Sequence, residues 1–277
     1  MQEKYCCPWE HLFYEPVLLD SASGDADSGD TVEYYQSALK SGEHRILDIG
    51  CGTGRLAIPL AQCNYEVHAV DCSPEMISFF QDKLKSFSQE GHSSLQDNLH
   101  LSSLDIVTSS YGKKVDVAIA VDDFLTHFLD KSSLRSALKN IALSLKLGGR
   151  FLTDLRGRSQ ERLAKASQAG AKPMLFFGIV HQVSTPSGNR SVAMRSAEDY
   201  DPHRQIMTSN QIFEWIAPDG TVERTVYRTL RQRLYHQEEL EKIALDVGLR
   251  LVSVYKRLHP MQPASFTSGM SLEFCTV

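Results

Sequence analysis

The sequence lacks three features, each of which would indicate a different large class of proteins. No apolar run approaches the roughly 20 residues that a membrane-spanning helix requires. None of the 6 cysteines forms a Cys-x-x-Cys pair, so neither a zinc site nor a disulfide framework is indicated. The formal net charge of −5 provides no positive field for a phosphate backbone. We therefore expect no metal, no membrane and no nucleic acid as partner.

The chain also lacks the pattern of a secretory signal, because Met1 to Lys4 is not a basic region followed by an apolar run. Together with thiols that are expected to be reduced, this predicts a cytoplasmic protein. A length of 277 residues and an apolar content of 42% suit one large α/β domain with an insertion, or a domain and a subdomain.

The most informative segment is the decapeptide 45–54, Arg-Ile-Leu-Asp-Ile-Gly-Cys-Gly-Thr-Gly. It reads as a short apolar strand with Asp48 near its end and glycines at alternate positions, Gly50, Gly52 and Gly54. Glycines allow a sharp turn from strand to helix and let a ligand approach the backbone closely. Residues 55–61 are apolar at helical spacing, so the turn would deliver the ligand to a helix N-terminus.

The spacing of these glycines distinguishes between ligands. A dinucleotide-binding fingerprint has its third glycine three residues after the second. Counted from Gly52, that position holds Arg55. A nicotinamide-dependent dehydrogenase therefore remains an alternative that this departure disfavours.

The organisation along the chain is that of an α/β fold. Strands are predicted at about 45–49, 65–70, 98–104, 115–121 and 150–155, with helices between them, and Ser73 is predicted to cap the helix that begins at Pro74. Alternating strands and helices predict a parallel sheet with its ligand at the carboxyl edge. Residues 174–232 break this rhythm and predict inserted antiparallel strands. A helix near 240–247 and strands at 250–258 and 271–277 would follow.

Five segments, in this order, resemble the motifs of the class I S-adenosylmethionine-dependent methyltransferases. They are 45–54 (the glycine motif), 69–76 (second strand and ribose-binding acid), 104–106 (adenine contact), 115–120 (fourth strand) and 145–152 (a Leu-Lys-Pro-Gly-Gly turn with Leu147 in place of proline). The resemblance is to the branch that methylates small molecules, and in particular to N-methyltransferases.

The resemblance implies an α/β, Rossmann-like seven-stranded methyltransferase sheet with an antiparallel β insertion after strand five. It divides the chain into an aromatic N-terminal lid segment (1–43), a cofactor-binding core (44–173), the insertion (174–232), and a C-terminal helix with the last two strands of the core sheet (233–277).

The implied cofactor is S-adenosyl-L-methionine. Asp71 would bind the ribose hydroxyls, Asp105 the adenine amino group, and Asp48 would order the turn through backbone amides. The full set of expected cofactor residues is Asp48, Gly50, Cys51, Gly52, Gly54, Arg55, Asp71, Cys72, Met76, Leu104, Asp105, Ile106 and Val121.

The methyl acceptor is expected to be a small molecule, with an amine favoured and a hydroxyl, carboxylate or thiol as alternatives. The run after strand four has no Asn/Asp-Pro-Pro-Tyr/Phe motif, which argues against nucleobase or glutamine methylation. His127 in that run is a candidate general base, since an imidazole titrates in the useful range. Tyr14 is a candidate contact to acceptor or cofactor, and Asp122 and Asp123 would attract a cationic acceptor.

Besides the dehydrogenase, two rival functions remain open at this point, a non-catalytic cofactor-binding subunit and an RNA-modifying methyltransferase. The acidic balance of the chain and the lack of a basic arm weigh against the latter. Because open sheet edges are usually paired or protected, the insertion 174–232 also predicts a homodimer.

Overall fold

The computed structural model describes residues 28–89, 94–168, 174–185 and 188–277. The first 27 residues of the expected lid, which include Tyr14, lie outside these ranges. Within them, no helix is both long and apolar enough to cross a membrane.

The strands follow the predicted positions closely. They are β1 (Arg45–Ile49), β2 (Glu66–Asp71), β3 (Leu99–Ser103), β4 (Val115–Ala120), β5 (Leu145–Leu155), β6 (Met174–Thr185), β7 (Gly188–Asp201), β8 (Ile206–Ile216), β9 (Val222–Arg233), β10 (Leu249–Lys256) and β11 (Met270–Thr276).

Helices connect most of these strands. They are α1 (Ser28–Ala38), α2 (Ala57–Gln62), α3 (Pro74–Gln89), α4 (Ser94–Asn98), α5 (Lys131–Ser144), α6 (Gln160–Ser167) and α7 (Gln237–Leu245), with a 3₁₀ helix at Phe124–His127.

The central sheet has seven strands in the order β10-β11-β5-β4-β1-β2-β3. All neighbouring strands from β5 to β3 run parallel, and β11 is antiparallel to both of its neighbours. The predicted Rossmann-like sheet is therefore confirmed. Register pairs such as Ile49↔Val70 and Asp71↔Ser103 align the carboxyl ends of the parallel strands, so the turns after them share one edge.

Local signals predicted the start of α3 correctly but the start of β5 less well. The amide of Met76 donates to the Ser73 hydroxyl at 3.2 Å, which is the predicted cap. Helix α5 ends at Ser144, and β5 begins at Leu145, five residues before the predicted start of strand five at 150. Leu145 already has extended backbone angles (φ −84°, ψ 148°). Gly148, with φ +74°, therefore lies within the strand.

The two faces of the central sheet are covered by separate apolar clusters. One contains Leu134, Leu138 and Ile141 of α5 together with residues of α7. The other contains residues of α2 and α3 and the fully buried Tyr35 of α1. The sheet is thus a sandwiched layer, as a parallel sheet requires.

The second sheet has four antiparallel strands in the order β6-β7-β8-β9. This confirms the antiparallel character predicted for the insertion. Side chains of β7 to β9 alternate between two faces. We call the face towards α6 the inner face, because Glu198 accepts a hydrogen bond from Arg162 of α6 at 2.6 Å and Met207 packs with Leu163 of α6.

Candidate functional site

The glycine turn lies at the carboxyl edge of the central sheet, between β1 and α2. Gly50, Gly52 and Gly54 have φ values of +69°, +53° and +85°, which L side chains rarely adopt. A Cβ on Gly50 would come within 2.6 Å of the Phe124 ring, and one on Gly54 would overlap the Phe80 ring. Close packing of the chain's own aromatic rings is therefore a second reason for glycine at these two positions.

Asp71, at the end of β2, holds this turn in place. Its carboxylate accepts hydrogen bonds from the amides of Gly52 and Ser73, both at 2.9 Å. Burial raises its pKa, and these amide bonds oppose the increase. The prediction that Asp48 orders the turn through backbone amides is wrong, because Asp71 has that role. The amide of Cys72 also lowers the pKa of Asp71, and an ionised carboxylate has about four acceptor positions, so Asp71 keeps acceptor capacity for a ligand.

Asp48 has the opposite environment. It is 1% exposed, and neither of its carboxylate oxygens has a hydrogen-bond partner in the part of the chain that the structure describes. Burial raises the pKa of Asp48 to about 7, against the influence of Arg55 and with contributions from Asp71 and Asp122. A buried polar group without a partner is costly. The turn therefore contains a buried acid with unused hydrogen-bonding capacity.

Arg55, at the start of the segment leading into α2, is close enough for its charge to lower the pKa of Asp48. One of its terminal nitrogens forms a close ion pair with Asp122. Its Nε and Nη1 are buried and have no hydrogen-bond partner among the residues described. The site thus offers two unpaired guanidinium donors beside the unpaired carboxylate of Asp48.

The other expected cofactor residues lie on the turns after β1 to β4, at the same edge. Ile106 and Met76 are 4% and 6% exposed, and Asp105 is exposed, with Oδ1 accepting from the amide of Val107 at 2.9 Å. The amide of Leu104 donates to the carbonyl of Asp71 at 2.9 Å. The remaining members are the buried Cys51, the exposed Cys72 and the partly buried Val121.

The turn after β4 has a strained backbone. Asp122 and Asp123 have φ values of +57° and +64°, and two successive non-glycine residues in this region are uncommon. Asp123 accepts from the amide of Arg156 at 2.7 Å and from the guanidinium of Arg158 at 2.7 Å. Burial alone would raise the pKa of Asp123, but Arg158 and Arg156 hold it below its usual value. The acid remains ionised and anchors the turn to the end of β5.

A buried ionic network continues from this turn. Asp154 of β5 is fully buried and accepts from Arg257 Nε at 2.7 Å and from the Tyr35 hydroxyl at 2.8 Å. Arg257 also reaches Asp122, at 3.2 Å. None of four residues in this network was predicted from the sequence: Asp154, Arg156, Arg158 and Arg257. The alternation Asp154-x-Arg156-x-Arg158 at a strand end was a usable signal for three of them.

His127 is the last residue of the 3₁₀ helix, which Gln232 of β9 holds by donating to the Thr126 hydroxyl at 2.9 Å. Burial lowers the pKa of His127 to about 4, with Asp123 opposing this change and Arg228 adding to it. The imidazole is therefore neutral at pH 7. Neutral imidazole accepts hydrogen bonds, but it is a much weaker proton acceptor than the sequence analysis expected.

The inner face of the second sheet carries a row of polar side chains that includes Arg228 of β9. Ser196, Gln211 and Arg228 are direct neighbours across β7, β8 and β9, so their side chains share one face. Ser196 and Gln211 are 3% and 9% exposed. The Ser196 hydroxyl and the Gln211 carbonyl oxygen have no hydrogen-bond partner within the described ranges. The sequence analysis did not identify these two residues, because nothing in a strand pattern marks a polar residue that faces inwards.

The segment that carries the glycine turn is similar to a known family of protein domains. Residues 46–149 match a family described as a methyltransferase domain. The putative methyltransferase YqeM of Bacillus subtilis is 33% identical over 111 residues, 40% of this chain and 42% of that protein. Glycine N-methyltransferase of Mus musculus is 31% identical over 138 residues, 46% of each chain. The chain thus spans about half the length of the curated relatives it matches.

The fold similarity extends over nearly the whole chain. The crystal structure of an S-adenosylmethionine-dependent methyltransferase from Clostridium acetobutylicum superposes with a TM-score of 0.72 at 18% identity, covering 96% of both chains. At that identity the likeness is one of fold, and it includes the region of the second sheet.

Proposed function

We propose that this chain, whose residues 46–149 belong to a methyltransferase domain family, is an S-adenosylmethionine-dependent methyltransferase acting on a small molecule. The observation that carries the proposal is the pair of acids at the carboxyl edge, Asp71 at the end of β2 and the buried Asp48 beside the glycine turn. In a doubly wound sheet, ligands bind outside the carboxyl ends of the strands.

The residues at this edge fit the proposed cofactor. Asp71 has acceptor capacity left for the hydroxyl groups of a ribose. Both carboxylate oxygens of Asp48 and two nitrogens of Arg55, Nε and Nη1, are buried without a hydrogen-bond partner among the described residues, which suits the ammonium and carboxylate of an amino acid moiety. Met76 and Ile106 are apolar and buried, as a contact to an adenine ring requires. S-adenosylmethionine, when bound, supplies a methyl group on a positively charged sulfur, ready for in-line displacement.

The chain's own contribution is then binding, orientation and exclusion of water. The ionic network around Asp122, Asp123 and Asp154 fixes the turn after β4 against β5. This places His127 on a rigid 3₁₀ helix. We propose that neutral His127 accepts a hydrogen bond from the methyl acceptor and orients its lone pair. Its low pKa makes it unsuited to removing a proton from an ammonium group at neutral pH.

We propose that the acceptor binds between His127 and the inner face of the second sheet. The unpartnered oxygens of Ser196 and Gln211 and the nearby Arg228 favour a polar acceptor with hydroxyl or amide donors. An amine is the favoured nucleophile, in keeping with the similarity to a glycine N-methyltransferase. Tyr14, outside the described residues, remains a proposed contact to the acceptor or cofactor.

A screen of polar small molecules with methyl-labelled S-adenosylmethionine tests this function, with labelled products detected by mass. We expect label in a small polar amine, and cofactor binding by calorimetry. Cofactor binding without transfer to any member of a broad metabolite pool would favour a non-catalytic subunit. Transfer to RNA instead would contradict the acceptor class. Absence of cofactor binding by the folded protein would overturn the proposal.

We further propose a cytoplasmic homodimer that forms through residues 174–232. Both outer strands of the second sheet, β6 and β9, are long edges of 12 residues each. Such edges are usually paired or protected. The proposal of a cytoplasmic location is supported by the free thiols of Cys51, Cys63 and Cys275.

A further inference from the structure

A cluster of metal-binding side chains lies on the central sheet, away from the carboxyl edge. It consists of Glu66 and His68 of β2 and His100 of β3. Asp71, at the carboxyl end of β2, is three residues beyond His68, which is about 10 Å along a strand. The cluster is therefore separate from the proposed cofactor site and does not depend on it.

The topology of the sheet places these three side chains on one face. Glu66 and His68 are two positions apart on the same strand, so they point the same way. His68 and His100 are register partners on adjacent parallel strands. Their rings are stacked, with centroids 4.8 Å apart and an interplanar angle of 22°. Two imidazoles and a carboxylate thus converge without any change in the backbone.

The distances suit a small divalent ion after modest side-chain movement. One ligand atom from each of the three residues lies within 4.8 Å of the other two. A tetrahedral ion with bonds of about 2.1 Å separates its ligands by about 3.4 Å. His100 is exposed and the Glu66 side chain is 37% exposed, so both can rotate to close this gap. Exposure of His100 also provides the entry path and leaves room for a water as fourth ligand.

Tyr111 supplies the outer contact that a metal-binding histidine needs. Its hydroxyl lies 2.6 Å from His68 Nδ1, while His68 Nε2 is 2.9 Å from Glu66 Oε1. If the imidazole proton moves from Nε2 to Nδ1, it is donated to the Tyr111 oxygen, and the Nε2 lone pair is freed for a metal. The ring stays neutral and no proton is lost. Outer partners of this kind fix the tautomer and orientation of a ligating histidine.

Two positive charges oppose metal binding. Arg45 Nε is 3.0 Å from Glu66 Oε1, and Lys113 is near enough to influence the pKa of His68. A carboxylate has two oxygens, so Glu66 can keep Arg45 on one oxygen while the other binds the ion. The same arginine compensates the Glu66 charge in the metal-free protein, which allows the site to exist in both states.

We propose that Glu66, His68 and His100 form a binding site for a divalent transition metal of the Zn²⁺ class. Imidazole nitrogens and a carboxylate are ligands that this class of ion prefers. The bound ion joins β2 to β3, and β3 is the edge strand of the central sheet. The site is therefore a structural clamp on the strand that leads into Leu104 and Asp105.

The test uses tag-free, full-length protein that has been dialysed against a chelator, with Zn²⁺ followed by titration calorimetry and by thermal unfolding. We expect one ion per chain and an increase in Tm that the chelator reverses. His100→Ala is the main variant, because His100 is exposed and its loss should not prevent folding. It should weaken Zn²⁺ binding by more than about 10-fold, and Tyr111→Phe by about 10–100-fold.

The matched control is His203→Ala, which removes an exposed histidine from the turn between β7 and β8 and should leave Zn²⁺ affinity unchanged. Cobalt(II) provides a spectroscopic readout, since the visible bands of a four-coordinate site should appear in the wild type and be lost in His100→Ala. Equal affinities of the wild type and His100→Ala would overturn the proposal. So would equal losses in His100→Ala and His203→Ala, or the absence of Zn²⁺ binding by the wild type.

Discussion

At the scale of single residues, Asp48 and Asp71 lie at the same sheet edge but have different surroundings. Asp71 already accepts two backbone amides, whereas Asp48 is buried without a partner in the described part of the chain. The first organises the turn through these amides. The second is a charge that only a ligand or a proton can compensate.

The Asp71→Ala variant should lose cofactor affinity. Two hydrogen bonds to a charged acceptor disappear, and we expect binding to weaken by about 1.5–3 kcal/mol in calorimetry. Because Asp71 also holds Gly52, Asp71→Asn serves as a second variant that can keep one amide contact. Asp82→Asn, on the exposed face of α3, is the control. Wild-type affinity in folded Asp71→Ala would contradict the assignment.

Asp48 predicts a pH dependence of stability in the ligand-free protein. The pKa of Asp48 is about 7 in the folded state, against an ordinary value of 3.8 for an aspartate, so between these pH values the folded protein holds a proton that the unfolded chain has lost. Stability from this group is therefore present below pH 4 and is lost as pH rises towards 7, by up to about 4 kcal/mol.

The Asp48→Asn variant should not lose stability in this pH range, because an asparagine side chain does not ionise. In urea unfolding at pH 4.5 and pH 8, its free energy of unfolding relative to wild type should rise with pH. A constant difference between the two proteins would show that Asp48 is not protonated when buried.

His127 predicts a second dependence on pH, this time of turnover. With a pKa of about 4, the imidazole does not titrate between pH 6 and 8. We expect His127→Ala to lower kcat by about 10²-fold through loss of acceptor positioning, without altering the shape of the pH profile in that range. His127→Gln, which can still accept a hydrogen bond, should recover part of the rate. An inflection near pH 6.5 that is present in the wild type and absent from His127→Ala would instead identify a general base, for which a loss of about 10²–10⁴-fold is expected.

At the scale of elements, the turn after β4 keeps its shape because β5 and the segment after β10 hold it. Asp122 and Asp123 could not remain at positive φ without the contacts from Arg156, Arg158 and Arg257. Such strain persists where the surroundings determine the conformation. The 3₁₀ helix that carries His127 follows directly, so its position depends on the same contacts.

The Asp154→Asn variant should therefore destabilise the fold. It leaves Arg257 buried without its main counter-charge, and removal of one partner from a buried pair costs about 3–5 kcal/mol. Urea unfolding measures this loss, with the exposed pair of Asp82 and Lys85 as the comparison, where Asp82→Asn should cost less than about 1 kcal/mol. Equal effects of the two variants would contradict a buried network.

The sequence predicted elements well and side-chain contacts poorly. The strand bounds of β1 and the cap at Ser73 follow from short-range patterns, and both were right. The role of Asp48 was wrong because hydrogen-bond partners depend on which turn lies beside which strand. Arg257, which is 103 positions from Asp154, has no local signal at all.

At the scale of the whole molecule, the chain consists of a sandwiched parallel sheet and an antiparallel sheet whose inner face lies over α6. The two are joined beside His127, where Gln232 of β9 donates to Thr126. An acceptor bound at this junction would contact both sheets. The second sheet has two edges in the monomer, and this leads to a prediction about assembly.

Light scattering at micromolar concentration should give the mass of a homodimer. Tyr227 on β9 is 75% exposed, and Tyr227→Glu tests whether that edge takes part. A fully monomeric wild-type protein would refute dimerisation through residues 174–232. A dimer that is unaffected by Tyr227→Glu would place the contact elsewhere, with the β6 edge as the remaining candidate in that sheet.

The position of β11 in the central sheet has a consequence for biosynthesis. This strand, Met270–Thr276, is inserted between β5 and β10, so β10 joins the sheet through a strand that is made after it. During translation, β1 to β5 can pair as they emerge, but one side of β5 must stay open until residues 270–276 have been made. An exposed strand edge of this kind attracts other chains. A nascent chain that stalls before residue 270 should therefore depend on chaperones, and a stop codon at that point should give an aggregating product.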